Sequence, residues 1–351
     1  MNLKLSQYAT ISIVLTTAIA GLIYFRGILQ PLALALIVWY LIRAIRLAIG
    51  RIKIGKWHIP IMVQKVLAIV LGFSVLWGVF EIISLNVELI LRSASQYEKN
   101  YNRLILGFTE FTGIVDLDAF LREQLVKVDL RLVASELLNS ISSIVGNTAL
   151  VLVYVIFLLI EEAFMPVKLE KLVARNANAD RVKDIIERIS SAVNKYFTVK
   201  TMVSMLTGIL SYIVLLVLNV DFAILWAFLI FLFNYIPYVG SFVATLLPAF
   251  FAIFQFSAFL PFVWVFVSVE FVQILVGNYI EPRIMGKTLN ISPLIVVISL
   301  SFWGSIWGVL GMILSVPITS VMVIVFAHFS QTRNLASILS EKGSIDSFFE
   351  H

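Results

Sequence analysis

The apolar residues of this chain come in blocks too long for a water-facing fold. Residues 150–160, 202–218 and 294–302 are nearly free of polar side chains, and the charges gather between such blocks. A bilayer core needs roughly 20 mostly apolar residues per helical span. Inside lipid each backbone amide must be satisfied within its own helix or a closed barrel, so apolar blocks of this length read as helices. A membrane barrel would show short segments of alternating polarity, and none is present. Charged residues make up only 13% of the 351 residues, too few to cover a soluble fold of this size, where about a quarter is usual. The sequence therefore predicts an all-α, polytopic integral membrane protein of about seven or eight transmembrane helices.

The layout follows from the breaks. A first, uncleaved span covers 8–25 and a second 28–42, with Pro31 near its start, where a missing N–H costs least. Arg43, Arg46, Arg51, Lys53, Lys56 and Lys65 then fall together with no acid among them. Short Lys/Arg-rich loops stay cytoplasmic, which predicts a cytoplasmic N-terminus. A third span ends near residue 85, closing an N-terminal region of 1–85. Residues 86–140 carry more acids than bases, and Leu121, Leu125, Val128 and Leu132 recur at helical spacing. They read as an amphipathic region on the extracytoplasmic side. A fourth span lies within 141–165. In 166–200, Val182, Ile185, Ile186, Ile189, Val193 and Phe197 share one helix face, with Asp184 and Arg188 placed for an i,i+4 pair. This reads as a cytoplasmic amphipathic helix. Residues 201–330 form a C-terminal transmembrane region and 331–351 a tail.

The C-terminal region is interrupted in ways that plain spans are not. Pro237, Pro248, Pro317 and several glycines cut it into short apolar pieces. Such pieces are read either as kinked helices in a bundle or as re-entrant and discontinuous helices whose exposed ends bind solute. Four features could carry chemistry. The first is the break Asn234-Tyr235-Ile236-Pro237-Tyr238-Val239-Gly240, either a tight turn with interfacial tyrosines or a solute-facing cluster. The second is Gly277–Lys287, where Asn278, Glu281, Pro282, Arg283 and Gly286 form a gate-like polar insert or a turn held by an ion pair. The third is Glu270, near the middle of a span, with Gln273 one turn on; an ionisable residue at that depth suggests ion coupling, as does Glu281. The fourth is Gly304, Gly308 and Gly311 with Ser315, one smooth face of a helix, serving close packing or sliding.

Enzyme signatures are absent. His58, His328 and His351 have no partners at ligand spacing, and Gly286-Lys287-Thr288 lacks the preceding glycine of a phosphate-binding loop, since Glu281 stands there. No cofactor, metal site, nucleic-acid surface or catalytic residue is expected, and cysteine is absent.

These motifs together resemble the AI-2E family of bacterial transporters. The resemblance rests on Pro237-Tyr238-Val239-Gly240, on Asn278 with Glu281-Pro282-Arg283-Ile284-Met285-Gly286-Lys287, on Ser292-Pro293, on Trp303-Gly304 with Trp307-Gly308, and on Val316-Pro317. It implies a homo-oligomeric transporter of the bacterial inner membrane. It also implies either export of a small polar solute such as autoinducer-2, without an ATPase of its own, or exchange of sodium or lithium for protons. Asn234, Tyr238, Gln273 and Asn278 suit the first reading, and Glu270 or Glu281 the second. A non-transporting scaffold using the two amphipathic regions is a third reading.

Overall fold

The computed structural model describes residues 2–51, 53–54, 57–112, 148–174, 179–285, 290–341 and 343. Leu121, Leu125, Val128 and Leu132, and the expected amphipathic helix they define, lie outside the described residues, as does Gly286. The helices are α1 (Asn2–Tyr24), α2 (Arg26–Arg51), α3 (Ile61–Thr112), α4 (Thr148–Glu161), α5 (Met165–Ala174), α6 (Ala179–Val217), α7 (Ala223–Phe233), α8 (Val239–Phe256), α9 (Phe259–Ile274), α10 (Glu281–Met285), α11 (Pro293–His328) and α12 (Arg333–Leu339). Among the described residues, an antiparallel pair of two-residue strands, β1 (Lys53–Ile54) and β2 (Trp57–His58), follows α2. Six of the described helical stretches are long and apolar enough to cross a bilayer, and their large exposed side chains, such as Trp77, Phe259 and Phe271, suit lipid contact. The chain is an all-α polytopic membrane protein, as its sequence predicts.

Helices run further than the hydropathy blocks. Arg43, Arg46 and Arg51, read from sequence as loop, lie on α2. The third span continues as α3 to Thr112, and α6 joins the amphipathic stretch to the span after it without a break. Backbone hydrogen bonding propagates through any non-proline sequence once a helix is nucleated, so a change in polarity does not end one. The chain divides into two compact units. Unit 1 holds residues 1–69, 147–196 and 287–351, and unit 2 holds residues 70–146 and 197–286.

In unit 1, α1 and α2 meet at a one-residue break at Phe25, with backbone bonds from Ile28 and Leu29 back to the Phe25 carbonyl. Near the other end of α2, Glu162 accepts from Arg46 at 2.7 Å and from the Trp39 indole at 3.3 Å, and Tyr40 donates to the Asn194 carbonyl at 2.5 Å. The ends of α2 and α4 and the first half of α6 therefore lie at one end of this unit. Ala35, Val38, Ile42, Ala68, Val151 and Val155 pack between α2, α3 and α4.

Helix α11 is not one helix. Gly308 breaks it with φ 63° and ψ −141°, a conformation open essentially to glycine. The side chains on either side meet across this break. Thr319 donates to Ser299 at 2.8 Å, although 20 residues separate them in sequence. A Cβ on Gly311 would lie 1.9 Å from the Trp303 carbonyl, and one on Gly304 3.0 Å from Met312. The pairs 303/311, 304/312 and 299/319 centre on residues 307, 308 and 309, so arms 293–307 and 309–328 run antiparallel. The expectation of one glycine face on one helix is corrected: Gly308 makes the turn, and Gly304 and Gly311 let the arms approach. Two bonds fix the tip. The Trp307 indole donates to the Leu22 carbonyl and Gln30 donates to the Trp307 carbonyl, both at 3.1 Å. At the open end, His328 is buried, its ring in contact with Asp184 at 3.0 Å, while Arg188 donates to both Asp184 oxygens. The expected i,i+4 pair is thus present with a third member.

Unit 2 is built from α7, α8 and α9, which fold back on one another around Leu215, Ile230, Ala244, Ala249, Val265 and Val269. One end of this packet is tied by polar groups. Gln255 accepts from the Asp221 N–H at 2.8 Å and donates to the Asn219 carbonyl at 2.7 Å, and Asn100 of α3 donates to the Gln255 carbonyl. Tyr97 donates to Asp221 at 2.9 Å. Burial, together with the adjacent Asp221 carboxylate, pushes the Tyr97 phenol up.

Candidate functional site

The break between α7 and α8 lies at the opposite end of its helices from that polar tie. Helix α7 has only 11 residues, about 16 Å at 1.5 Å per residue, well short of a bilayer core. It ends where Pro237, lacking an N–H, cannot continue it. Residues 237–239 then close a three-residue turn, with the Val239 N–H 2.6 Å from the Pro237 carbonyl and Tyr238 at φ 59°, ψ −61°. A turn of this hand is rare and strained for a residue bearing a Cβ. Gly240 restarts the helix where nothing larger fits, because a Cβ there would lie 1.9 Å from the Phe233 carbonyl.

The residues just before the break, Asn234 and Tyr235, are buried against α6 within unit 2. Asn234 donates to Ser204 at 3.0 Å, and the Tyr235 hydroxyl donates to Thr201 at 2.8 Å. Ser204, Thr207, Gly208 and Ser211 give α6 a face of small residues. A Cβ on Gly208 would already press on Ala227 and Phe231 at 3.2 Å. One residue before Thr201, Lys200 points at Glu281. Its ammonium donates to both carboxylate oxygens, at 2.7 and 3.0 Å, and the two side chains are 7% and 18% exposed. Around the pair, Val199, Val203, Val272 and Val276 form an apolar core with Ile280 and Met285 against it. Glu281 opens α10 directly after a π-helical turn, Leu275–Ile280. Turns of this type carry an extra residue and occur often at functional sites.

Three of the sequence-selected residues thus meet α6, namely Asn234, Tyr235 and Glu281, while Gly240 packs against the end of α7 at Phe233 and Ile236. Gln273 is buried, with its amide 3.5 Å from the Ser241 carbonyl at the start of α8. Tyr238, Asn278, Pro282 and Arg283 are exposed, and Pro237 is half-buried. The ion pair imagined between Glu281 and Arg283 is replaced by one between Glu281 and Lys200. Glu270 sits on α9, and its carboxylate oxygen Oε2 is buried without a hydrogen-bond partner among the described residues. No group of three metal-ligating side chains occurs among the described residues.

Sequence reasoning missed Lys200, Thr201 and Ser204. The signal was there: polar residues at i, i+1 and i+4 at the mouth of an apolar stretch. The change from amphipathic to apolar pattern at Lys200 hides it, because it reads as the end of a helix that in fact continues.

Residues 11–331 match the sequence profile of the AI-2E family transporters. The chain belongs to this family. Among AI-2E relatives, it is similar to the AI-2 transport protein TqsA of Escherichia coli K12, 34% identical over 207 residues, or 59% of each protein. It is also similar to YhhT of the same bacterium, whose name marks it only as a candidate transport protein, at 28% identity over 296 residues, 82% of this chain and 84% of YhhT. A transport-protein candidate of Borreliella burgdorferi is 33% identical over 202 residues, covering 57% of this chain and 56% of that one. The aligned stretch thus spans less than two thirds of the length of TqsA. The AI-2E assignment makes the chain a member of a family of membrane transporters.

Proposed function

We propose that this protein carries a small, neutral, polar solute such as autoinducer-2 out of the bacterial cell, across the cytoplasmic membrane and without an ATPase of its own. One observation supports this above the others. At the α7–α8 break, the amide of Asn234 and the hydroxyls of Tyr235, Ser204 and the half-buried Thr201 are hydrogen-bonded together, and the charges beside them, Lys200 and Glu281, neutralise each other. Neutral donors and acceptors at a helix break recognise hydroxyl-rich solutes, and the paired charges leave no net charge there to draw in an ion instead. The name of TqsA supplies the solute class. A cytoplasmic N-terminus fits this reading, because Arg43, Arg46, Arg51, Lys53, Lys56 and Lys65 fall together in the sequence between the second and third spans. A homo-oligomer in the inner membrane completes the reading.

The test is release of autoinducer-2 from proteoliposomes containing the purified chain. Release should exceed that from protein-free vesicles, persist without nucleotide, and fall at least tenfold in Asn234→Ala. Release equal to that from empty vesicles would overturn the reading. One observation favours a second reading, exchange of monovalent cations for protons: the partnerless buried oxygen of Glu270. A carboxylate oxygen held at membrane depth without a hydrogen-bond partner is a candidate cation contact. Sodium-driven proton movement in the same vesicles, abolished by Glu270→Gln, would establish it instead.

A further inference from the structure

We infer that the Lys200–Glu281 ion pair sets the charge class of what passes the α7–α8 break: by cancelling each other, the two side chains keep that region neutral and so exclude ions of either sign. This inference rests on the proposed transport of a neutral polar solute and adds the device that enforces its neutrality.

The geometry carries the argument. Lys200 and Glu281 lie 81 residues apart in sequence, on α6 and α10, and both carboxylate oxygens accept from the one ammonium. The pair is flanked on one side by the valines of α6 and α9 and by Ile280 and Met285. On α6 it is followed at once by Thr201, which accepts from Tyr235, and one turn later by Ser204, which accepts from Asn234. Ion pair and hydroxyl–amide cluster are therefore neighbours on a single helical turn. The other charged residues of α9 and α10 do not complete the pair: Arg283 is exposed, and Glu270 lies three turns before Glu281. In an apolar setting the field of an unpaired charge is weakly screened. Removing either partner leaves one full charge beside the cluster, and that charge attracts its counter-ion. Lys200→Met leaves a carboxylate and invites cations. Glu281→Gln leaves an ammonium and invites anions. Removing both restores neutrality.

The test measures ion discrimination rather than solute flux. Wild type, Lys200→Met, Glu281→Gln and the double variant are reconstituted in vesicles, and entry of rubidium and of iodide is followed with radioactive tracers. Autoinducer-2 release is measured on the wild type alone. The wild type should pass neither ion above the rate of empty vesicles. Lys200→Met should raise rubidium entry at least tenfold with iodide unchanged. Glu281→Gln should do the reverse, and the double variant should return both to the wild-type level. The Gln replacement is isosteric and keeps a hydrogen-bond acceptor for Lys200, so it tests the charge where Lys200→Met fails to fold. Monodisperse elution in detergent checks folding. A flat response in Glu281→Gln, opposite-sign entry in either single variant, or wild-type rubidium entry above that of empty vesicles overturns the filter. If the wild type releases autoinducer-2 while the series is flat, the filter falls and the transport reading stands. If the wild type releases none while the series follows charge, the filter stands and the solute assignment falls.

Discussion

Adding one methyl group at Gly311 should cost about 3 kcal/mol or more of unfolding free energy, at the upper end of overpacking penalties. The reason is the hairpin of arms 293–307 and 309–328. A Cβ on Gly311 would lie 1.9 Å from the Trp303 carbonyl oxygen and 2.6 Å from its carbon. Carbon–oxygen contacts below 3.0 Å do not occur for real Cβ atoms, so the backbones must separate by about 1 Å or more, which forfeits dispersion contacts along both arms. The two neighbouring glycines provide graded controls. At Gly308 nothing lies within 4 Å of an added Cβ, but φ is +63°, so alanine there should cost backbone strain alone, about 1–3 kcal/mol. At Gly304 the obstacle is the flexible end of Met312 at 3.0 Å, which can change rotamer, and the cost should stay under about 1 kcal/mol. The assay is reversible unfolding in mixed micelles followed by tryptophan fluorescence. The expected order of destabilisation is Gly311→Ala, then Gly308→Ala, then Gly304→Ala. If Gly311→Ala and Gly304→Ala agree within about 0.5 kcal/mol, the size of an ordinary surface substitution, the two arms do not pack against each other and the hairpin is wrong.

Because the chain has no cysteine, the double variant S299C/T319C should form a disulfide under mild oxidation, detectable by mass spectrometry. Two residues 20 apart on a straight helix would be about 30 Å apart and could not. Tyr238→Gly should stabilise the protein by up to about 1 kcal/mol by relieving the strained turn, unless glycine's greater freedom in the unfolded state cancels the gain, and a fall in melting temperature of several degrees would contradict the strain. Tyr97→Phe should cost about 1.5–3 kcal/mol by removing a hydrogen bond to a carboxylate. Since the Tyr97 phenol is pushed up from its ordinary value near 10, the contribution is complete below that value and is lost only as pH rises through the higher folded value; the difference between variant and wild type should be constant from pH 7 to 9. Glu162→Ala should destabilise by about 3–5 kcal/mol, as it strands Arg46, which is only 17% exposed, and a loss below 1 kcal/mol would show the contact to be superficial.

The sequence was most informative where local chemistry decides the outcome. Pro237 cannot donate to a helix, so the end of α7 could be read directly, and Asp184 and Arg188 meet because four residues make one helical turn. It was least informative where distant partners decide. Lys200 at the edge of an apolar stretch reads as a side chain reaching for the interface; its partner lies 81 positions away, and no periodicity announces it. The turn at Gly308 was hidden for a different reason. Both arms are apolar, so hydropathy runs through the turn unchanged, and the evenly spaced glycines mimic a packing face. Length was the available clue: 36 residues of helix would extend about 54 Å, nearly twice a bilayer core.

That turn also decides how the chain is threaded. A straight helix over 293–328 would deliver residue 329 to the side opposite Ser292. With the fold-back at Gly308, the two ends return together, and the Ser292 N–H is bonded to the Leu339 carbonyl at 3.0 Å. The segment contributes an even number of passes, zero or two, and α12 shares the compartment of the stretch preceding Pro293. Reporters fused after residues 290 and 341 should therefore give the same sidedness, and a topology that counts this segment as one span will be wrong by one from there onward.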